Sequence, residues 1–159
     1  MKRKDLPNTL LNTPSSLRLK TISKYEIHLI AKERKTMETA KIKILICDDS
    51  MLVRRKLRGL LEDEFSCEVT EAANGQEAVA YYEQEKPQLV FIDIVMPVCD
   101  GLEALQKIKK LDNNAQIIMI SSTGTSAKLI QALKLGAIDF IQKPYNKEQI
   151  AKAISNVHS

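Results

Sequence analysis

The sequence predicts an α/β fold built on a doubly wound parallel sheet. Two observations carry that prediction. From Lys41 onward, short apolar runs alternate with segments of helical period, and this strand–helix unit repeats five times. The apolar runs are also nearly continuous, which fits strands buried on both faces, and strict alternation fits a parallel sheet with helices on either side.

Each element follows in order. Ile42–Cys47 reads as the first strand, and residues 50–64 as a helix with Leu52, Val53, Leu57, Leu60 and Leu61 on one face. Cys67–Ala72 reads as the second strand, and Asn74 as the N-cap of a helix running to Glu85. Residues 88–93 are the most hydrophobic strand, followed by a helix over 102–111 with Leu102, Leu105, Ile108 and Leu111 periodic. A strand over 116–121 precedes a helix over 126–135, which stops at Gly136, a good helix terminator. The pattern closes with a strand over 138–141 and a helix over 146–157.

Composition bounds the rest. With 159 residues, 44% apolar and 28% charged, the chain has enough material for one domain with a real core. No apolar run approaches the ~20 residues that span a bilayer. No apolar stretch follows the basic start Met1-Lys-Arg-Lys-Asp5, so a signal peptide is not expected and the cytoplasm is the expected location. Cys47, Cys67 and Cys99 match no metal-ligand spacing and read as small buried hydrophobes. Residues 1–40 carry nine Lys/Arg against four Asp/Glu, a net +5, and the remainder fifteen against sixteen, a net −1. The basicity therefore belongs to the leading segment.

Residues 1–40 read as a flexible extension with Pro7, Pro14 and a Ser/Thr scatter, and Tyr25 to Lys35 as a short helix with a weak apolar face. Met37 is an alternative start, because it leads straight into the first strand. A basic arm can touch nucleic acid or a membrane surface. This one lacks the aromatic interleaving of an RNA-binding arm, and a solvated tail is the expectation.

Right-handed crossovers bring the C-terminal ends of all five strands to one edge. The residues closing those ends are Asp48 and Asp49, Asp93, Ser121 and Lys143. Adjacent carboxylates repel unless something neutralises them, and a hard divalent cation such as Mg2+ does so with oxygen ligands. Asp48, Asp49 and Asp93 can supply that shell, with a backbone carbonyl just after Asp93. The alternative for the acid pair, capping the helix that starts at Ser50, explains one acid and not two beside a third. Asp93 is either a ligand alone or also a nucleophile, since carboxylates accept phosphoryl groups. Lys143 can offer a cation to the transferred group and Ser121 a hydroxyl. A lone lysine at a strand end is ordinarily a surface residue, but Pro144 after Lys143 suggests a fixed side chain. A cis bond between them is not legible from sequence.

Residues 41–157 resemble the receiver domain of two-component response regulators, in particular the stand-alone CheY type. The motifs are Ile46-Cys-Asp48-Asp49-Ser, Glu71-Ala-Ala-Asn-Gly75-Gln-Glu-Ala78, Phe91-Ile-Asp93-Ile-Val-Met-Pro97 with Asp100-Gly101, Met119-Ile-Ser121-Ser, and Gly136-Ala with Lys143-Pro144. The resemblance implies a (βα)5 flavodoxin-like sheet in the order 2-1-3-4-5 over residues 41–159. It also implies Asp93 as phosphoacceptor, with Mg2+ held by Asp48, Asp49, Asp93 and the carbonyl of Val95. Ser121 and Phe140 would be the switch pair, and Lys143 the phosphate-facing lysine.

Two departures from the family bear on kinetics. Val95 and Thr123 sit where relatives tune dephosphorylation, so the phosphoryl lifetime stays open. Phe140 lacks the tyrosine hydroxyl, so burial of the ring alone must favour its inward state. The helix after Asp49 carries Met51, Leu52, Arg54, Arg55 and Arg58, of which the exposed part would dock a histidine kinase or phosphotransfer protein, while Met51 and Leu52 equally suit the core. Lys128, Leu129 and Lys134 either face an output partner or form a solvated surface. His28 and His158 lie away from the strand-end set, so the phosphohistidine donor is expected in another protein.

The implied function is a phosphorylation-switched signalling protein without an output module. Its downstream target would be a flagellar motor or, as a phosphorelay intermediate, another phosphotransfer domain. Self-catalysed phosphorylation and dephosphorylation would be its only chemistry. An aspartyl-nucleophile phosphatase would need an acid at Val95, and a nucleic-acid binder would act through residues 1–40.

Overall fold

The computed structural model describes residues 22–38, 41–122 and 125–157. The chain divides after Ala40 into two units. In the first, α1 spans Lys24–Glu38. The short helix expected over Tyr25–Lys35 is present and extends further at both ends, to 15 residues. Its start is set by a capping box: Ser23 N–H donates to Glu26 Oε2 at 2.8 Å, and Glu26 N–H donates to Ser23 Oγ at 3.2 Å. Pro7, Pro14 and the rest of residues 1–21 lie outside the described residues, as do Thr123 and His158.

The second unit holds β1 (Ile42–Cys47), α2 (Met51–Glu64), β2 (Cys67–Ala72), α3 (Gly75–Glu85), β3 (Leu89–Asp93), α4 (Gly101–Leu111), β4 (Ile117–Ser121), α5 (Ser126–Lys134), β5 (Asp139–Gln142) and α6 (Lys147–Val157). The five strands form one parallel sheet in the order β2-β1-β3-β4-β5, as expected. β5 begins one residue later than its apolar run suggests, with Ile138 exposed and Gln142 paired to Ser121.

The pleat divides the core in two. Leu45, Cys47, Val90, Ile92 and Met119 face α3, α4 and α5 through Ala78, Tyr82, Leu105, Ile108 and Ala132. Ile44, Ile46, Phe91, Ile118 and Ile120 face α2 and α6 through Leu57, Leu61, Ile150 and Ile154. β3 and β4 are buried at every position, which is why their sequences do not alternate. All three cysteines are free and buried.

Of the two alternatives for the start of α2, core or exposed face, the structure takes the second. Leu57 and Leu61 are buried, but Met51 is 52% and Leu52 74% exposed. The N-cap of α2 is Ser50, whose Oγ accepts from Val53 N–H at 3.4 Å, and neither Asp48 nor Asp49 takes that role. Among the described residues, no helix is long and apolar enough to cross a membrane.

Candidate metal and phosphoryl site

The strand order reverses direction between β1 and β3, the place where ligands bind in open α/β sheets, outside the carboxyl ends of the strands. Asp48 leaves β1 there and Asp93 ends β3.

Asp48 is fixed through every polar group. Its N–H extends the ladder to Ala72 O at 3.2 Å, and its Oδ1 accepts from Ser50 N–H at 2.9 Å. Its Oδ2 accepts from Lys143 Nζ at 2.5 Å, and its main-chain carbonyl accepts from Arg54 Nη1 at 2.8 Å. Asp48 and Asp93 are buried, whereas Asp49 is exposed. Lys143 Nζ also lies 3.5 Å from Asp93 Oδ2. Burial pushes the Asp93 carboxyl above the usual range. The Asp48 charge pushes the same way, and Lys143 and the Val95 N–H only partly offset them.

Lys143 is anchored by its backbone, with its N–H donating to Ser121 O at 2.9 Å, and the Lys143–Pro144 bond is cis. Ser121 is fully buried at the end of β4, one residue beyond the Asp93–Ile120 pair. Val95 is half exposed. Phe140 pairs with Met119 and lies half-buried in a groove with Leu129, Gln149 and Lys152. Gly101 lets α4 approach the site, because a Cβ there would sit 2.0 Å from Asp93 O.

Carboxylate oxygens of Asp48, Asp49 and Asp93 lie within 4.8 Å of one another. Three carboxylates against one ammonium leave a net −2, matched by one divalent cation. All three donors are hard oxygens, so they fit Mg2+ and not a soft metal.

Two residues take places that local sequence does not indicate, Arg54 and Tyr145. Arg54, on the helix whose exposed part was the expected docking face, turns inward, with its side chain only 14% exposed. Glu71, a lone acid near the end of β2, was the available signal. Tyr145 is buried in the α2–α6 core with no hydrogen-bond partner for its hydroxyl among the described residues. Burial, with Asp48 adding to it, pushes that phenol up to about 12.

Fold and site together describe a doubly wound α/β module with a cluster of acids at the ligand-binding edge of its sheet. The chain belongs to the response regulator receiver domain family, whose profile matches residues 44–155. It is 46% identical over 114 residues to chemotaxis protein CheY of Halobacterium salinarum, covering 72% of this chain and 94% of that protein. Identity to CheY of Listeria monocytogenes is 42% over 113 residues, covering 71% and 95%. Among solved structures, CheY in a CheX–CheY–BeF3–Mg2+ complex from Borrelia burgdorferi superposes with a TM-score of 0.71 at 32% identity, covering 74% of this chain and 90% of that one. Receiver domains bind Mg2+ in general and are signalling modules of two-component systems, not turnover enzymes.

Proposed function

We propose that this chain is a CheY-like phosphoryl switch, with Asp93 accepting a phosphoryl group from a phosphohistidine on a kinase or phosphotransfer protein. The observation that carries this is the meeting of three carboxylates and one lysine ammonium at a single sheet edge. An Asp93 carboxylate oxygen attacks the phosphorus. The P–N bond breaks, its electron pair stays on the donor imidazole, and that nitrogen takes a proton while an acyl phosphate forms. Mg2+, held by Asp48, Asp49, Asp93 and the Val95 carbonyl, would neutralise charge on the phosphoryl oxygens. Lys143 exchanges its contact with Asp48 for the new phosphate, and Ser121 donates its hydroxyl. Phosphorylation adds about 1.5–2 negative charges. Phe140 turns inward in response, changing the face formed by α5, β5 and α6, where a downstream partner binds. The CheY relatives favour a chemotaxis output in the cytoplasm over a phosphorelay one.

The test is acetyl phosphate or beryllofluoride with Mg2+, wild type against Asp93→Asn. Acid-labile phosphate is expected on the wild type alone. Equal labelling of the variant would remove Asp93 from its role, and steady hydrolysis of phosphomonoesters would make the protein a phosphatase instead.

A further inference from the structure

Arg54 lies in the N-terminal half of α2 and forks between two acceptors. Its Nε donates to Glu71 Oε2 at 3.0 Å, and its Nη1 donates to the Asp48 main-chain carbonyl at 2.8 Å. That carbonyl belongs to the peptide joining Asp48 to Asp49. A peptide unit is planar, so holding its oxygen also sets where the Asp49 Cα lies relative to Asp48. Glu71 is held in turn by Arg58 Nη1 at 2.7 Å, and Arg58 Nη2 donates to Val69 O at 2.9 Å. A continuous chain of charged hydrogen bonds thus runs from β2 to the acid pair.

We propose that Arg54 is a positioning residue for the divalent cation, presenting the exposed Asp49 carboxylate to the ion shared with Asp48 and Asp93. The proposal rests on reading the acid cluster as a Mg2+ site. Mg2+ demands near-ideal octahedral geometry, so a small rotation of the Asp48–Asp49 peptide costs affinity. Lysine cannot replace arginine here, because an ammonium is a point donor and cannot span both acceptors. The arrangement avoids repelling the ion: Glu71 and Glu62 offset the Arg54 and Arg58 charges.

The test is a Mg2+ titration of the full chain followed by the amide resonances of Asp48, Asp49 and Asp93, with thermal unfolding in parallel. Arg54→Ala and Arg54→Lys are expected to weaken Mg2+ binding about tenfold, the usual scale for a residue that orients a ligand. Arg58→Ala, which touches Glu71 and Val69 but not Asp48, is expected to lower stability and leave Mg2+ affinity near wild type. Should Arg54→Ala fail to fold, Arg54→Lys still decides. Wild-type affinity in folded Arg54 variants would overturn the proposal. So would an equal loss in Arg58→Ala, which would trace the effect to general loosening between α2 and β2. A wild type that binds no Mg2+ would sink the Mg2+ reading itself, before any variant is compared.

Discussion

Lys143 Nζ bridges Asp48 Oδ2 at 2.5 Å and Asp93 Oδ2 at 3.5 Å. One ammonium thereby joins two buried carboxylates at the ends of different strands, and its removal leaves both uncompensated. Lys143→Ala is expected to lose about 3 kcal/mol in Mg2+-free urea unfolding. Saturating Mg2+ should restore much of that loss by replacing the missing charge. The variant should still take up phosphoryl label but gain no partner affinity from it. Wild-type stability without Mg2+ would contradict the first part, and a normal phosphorylation-dependent rise in partner affinity the second.

Gly101 determines how closely α4 approaches Asp93. A Cβ there would fall 2.0 Å from Asp93 O and 2.8 Å from Ile94 Cα, both backbone atoms that cannot move aside cheaply. Gly101→Ala should cost about 3 kcal/mol, the upper end for overpacking. Labelling by acetyl phosphate should slow as well. A variant as stable as wild type and labelled at the same rate would show that α4 shifts freely.

The buried Tyr145 hydroxyl has no hydrogen-bond partner among the described residues. Burying such a group without a partner costs about 1–3 kcal/mol. Tyr145→Phe keeps the ring in the α2–α6 core and removes the orphan, so its melting temperature should rise. A fall in melting temperature would mean the hydroxyl has a partner in solution.

Glu71 supplies a pH signature. Its burial works to raise the carboxyl, but the hydrogen bonds from Arg54 and Arg58 outweigh it, and the net shift is downward from 4.5. A depressed carboxyl stabilises the fold above its unfolded-state value and loses that contribution as pH falls through its folded-state value. Glu71→Gln should therefore be less stable than wild type by about 1.5 kcal/mol at neutral pH. The gap should close on acidification below pH 4.5. A gap that is constant from neutral to acid pH would remove the ionic part of the interaction.

The sequence alone determined the five strand–helix repeats, because hydrophobic period and burial on both faces are written locally. It also determined that Asp48, Asp49, Asp93, Ser121 and Lys143 share one edge, because crossover handedness leaves the strand ends no other place. The α1 helix was legible too, in its weak apolar face and in the Ser23–Glu26 capping pair that sets its start. Tertiary structure decided what depends on how elements rotate against one another. Leu52 has the period of a core residue yet is exposed, while Leu57 and Leu61 of the same helix are buried. Arg54 has the look of a surface residue yet turns inward, since Glu71 on β2 lies opposite it. The pairing of Lys143 with Asp48 spans 95 residues. No local pattern encodes that distance: only the assembled sheet, with burial excluding water from both groups, brings ammonium and carboxylate together.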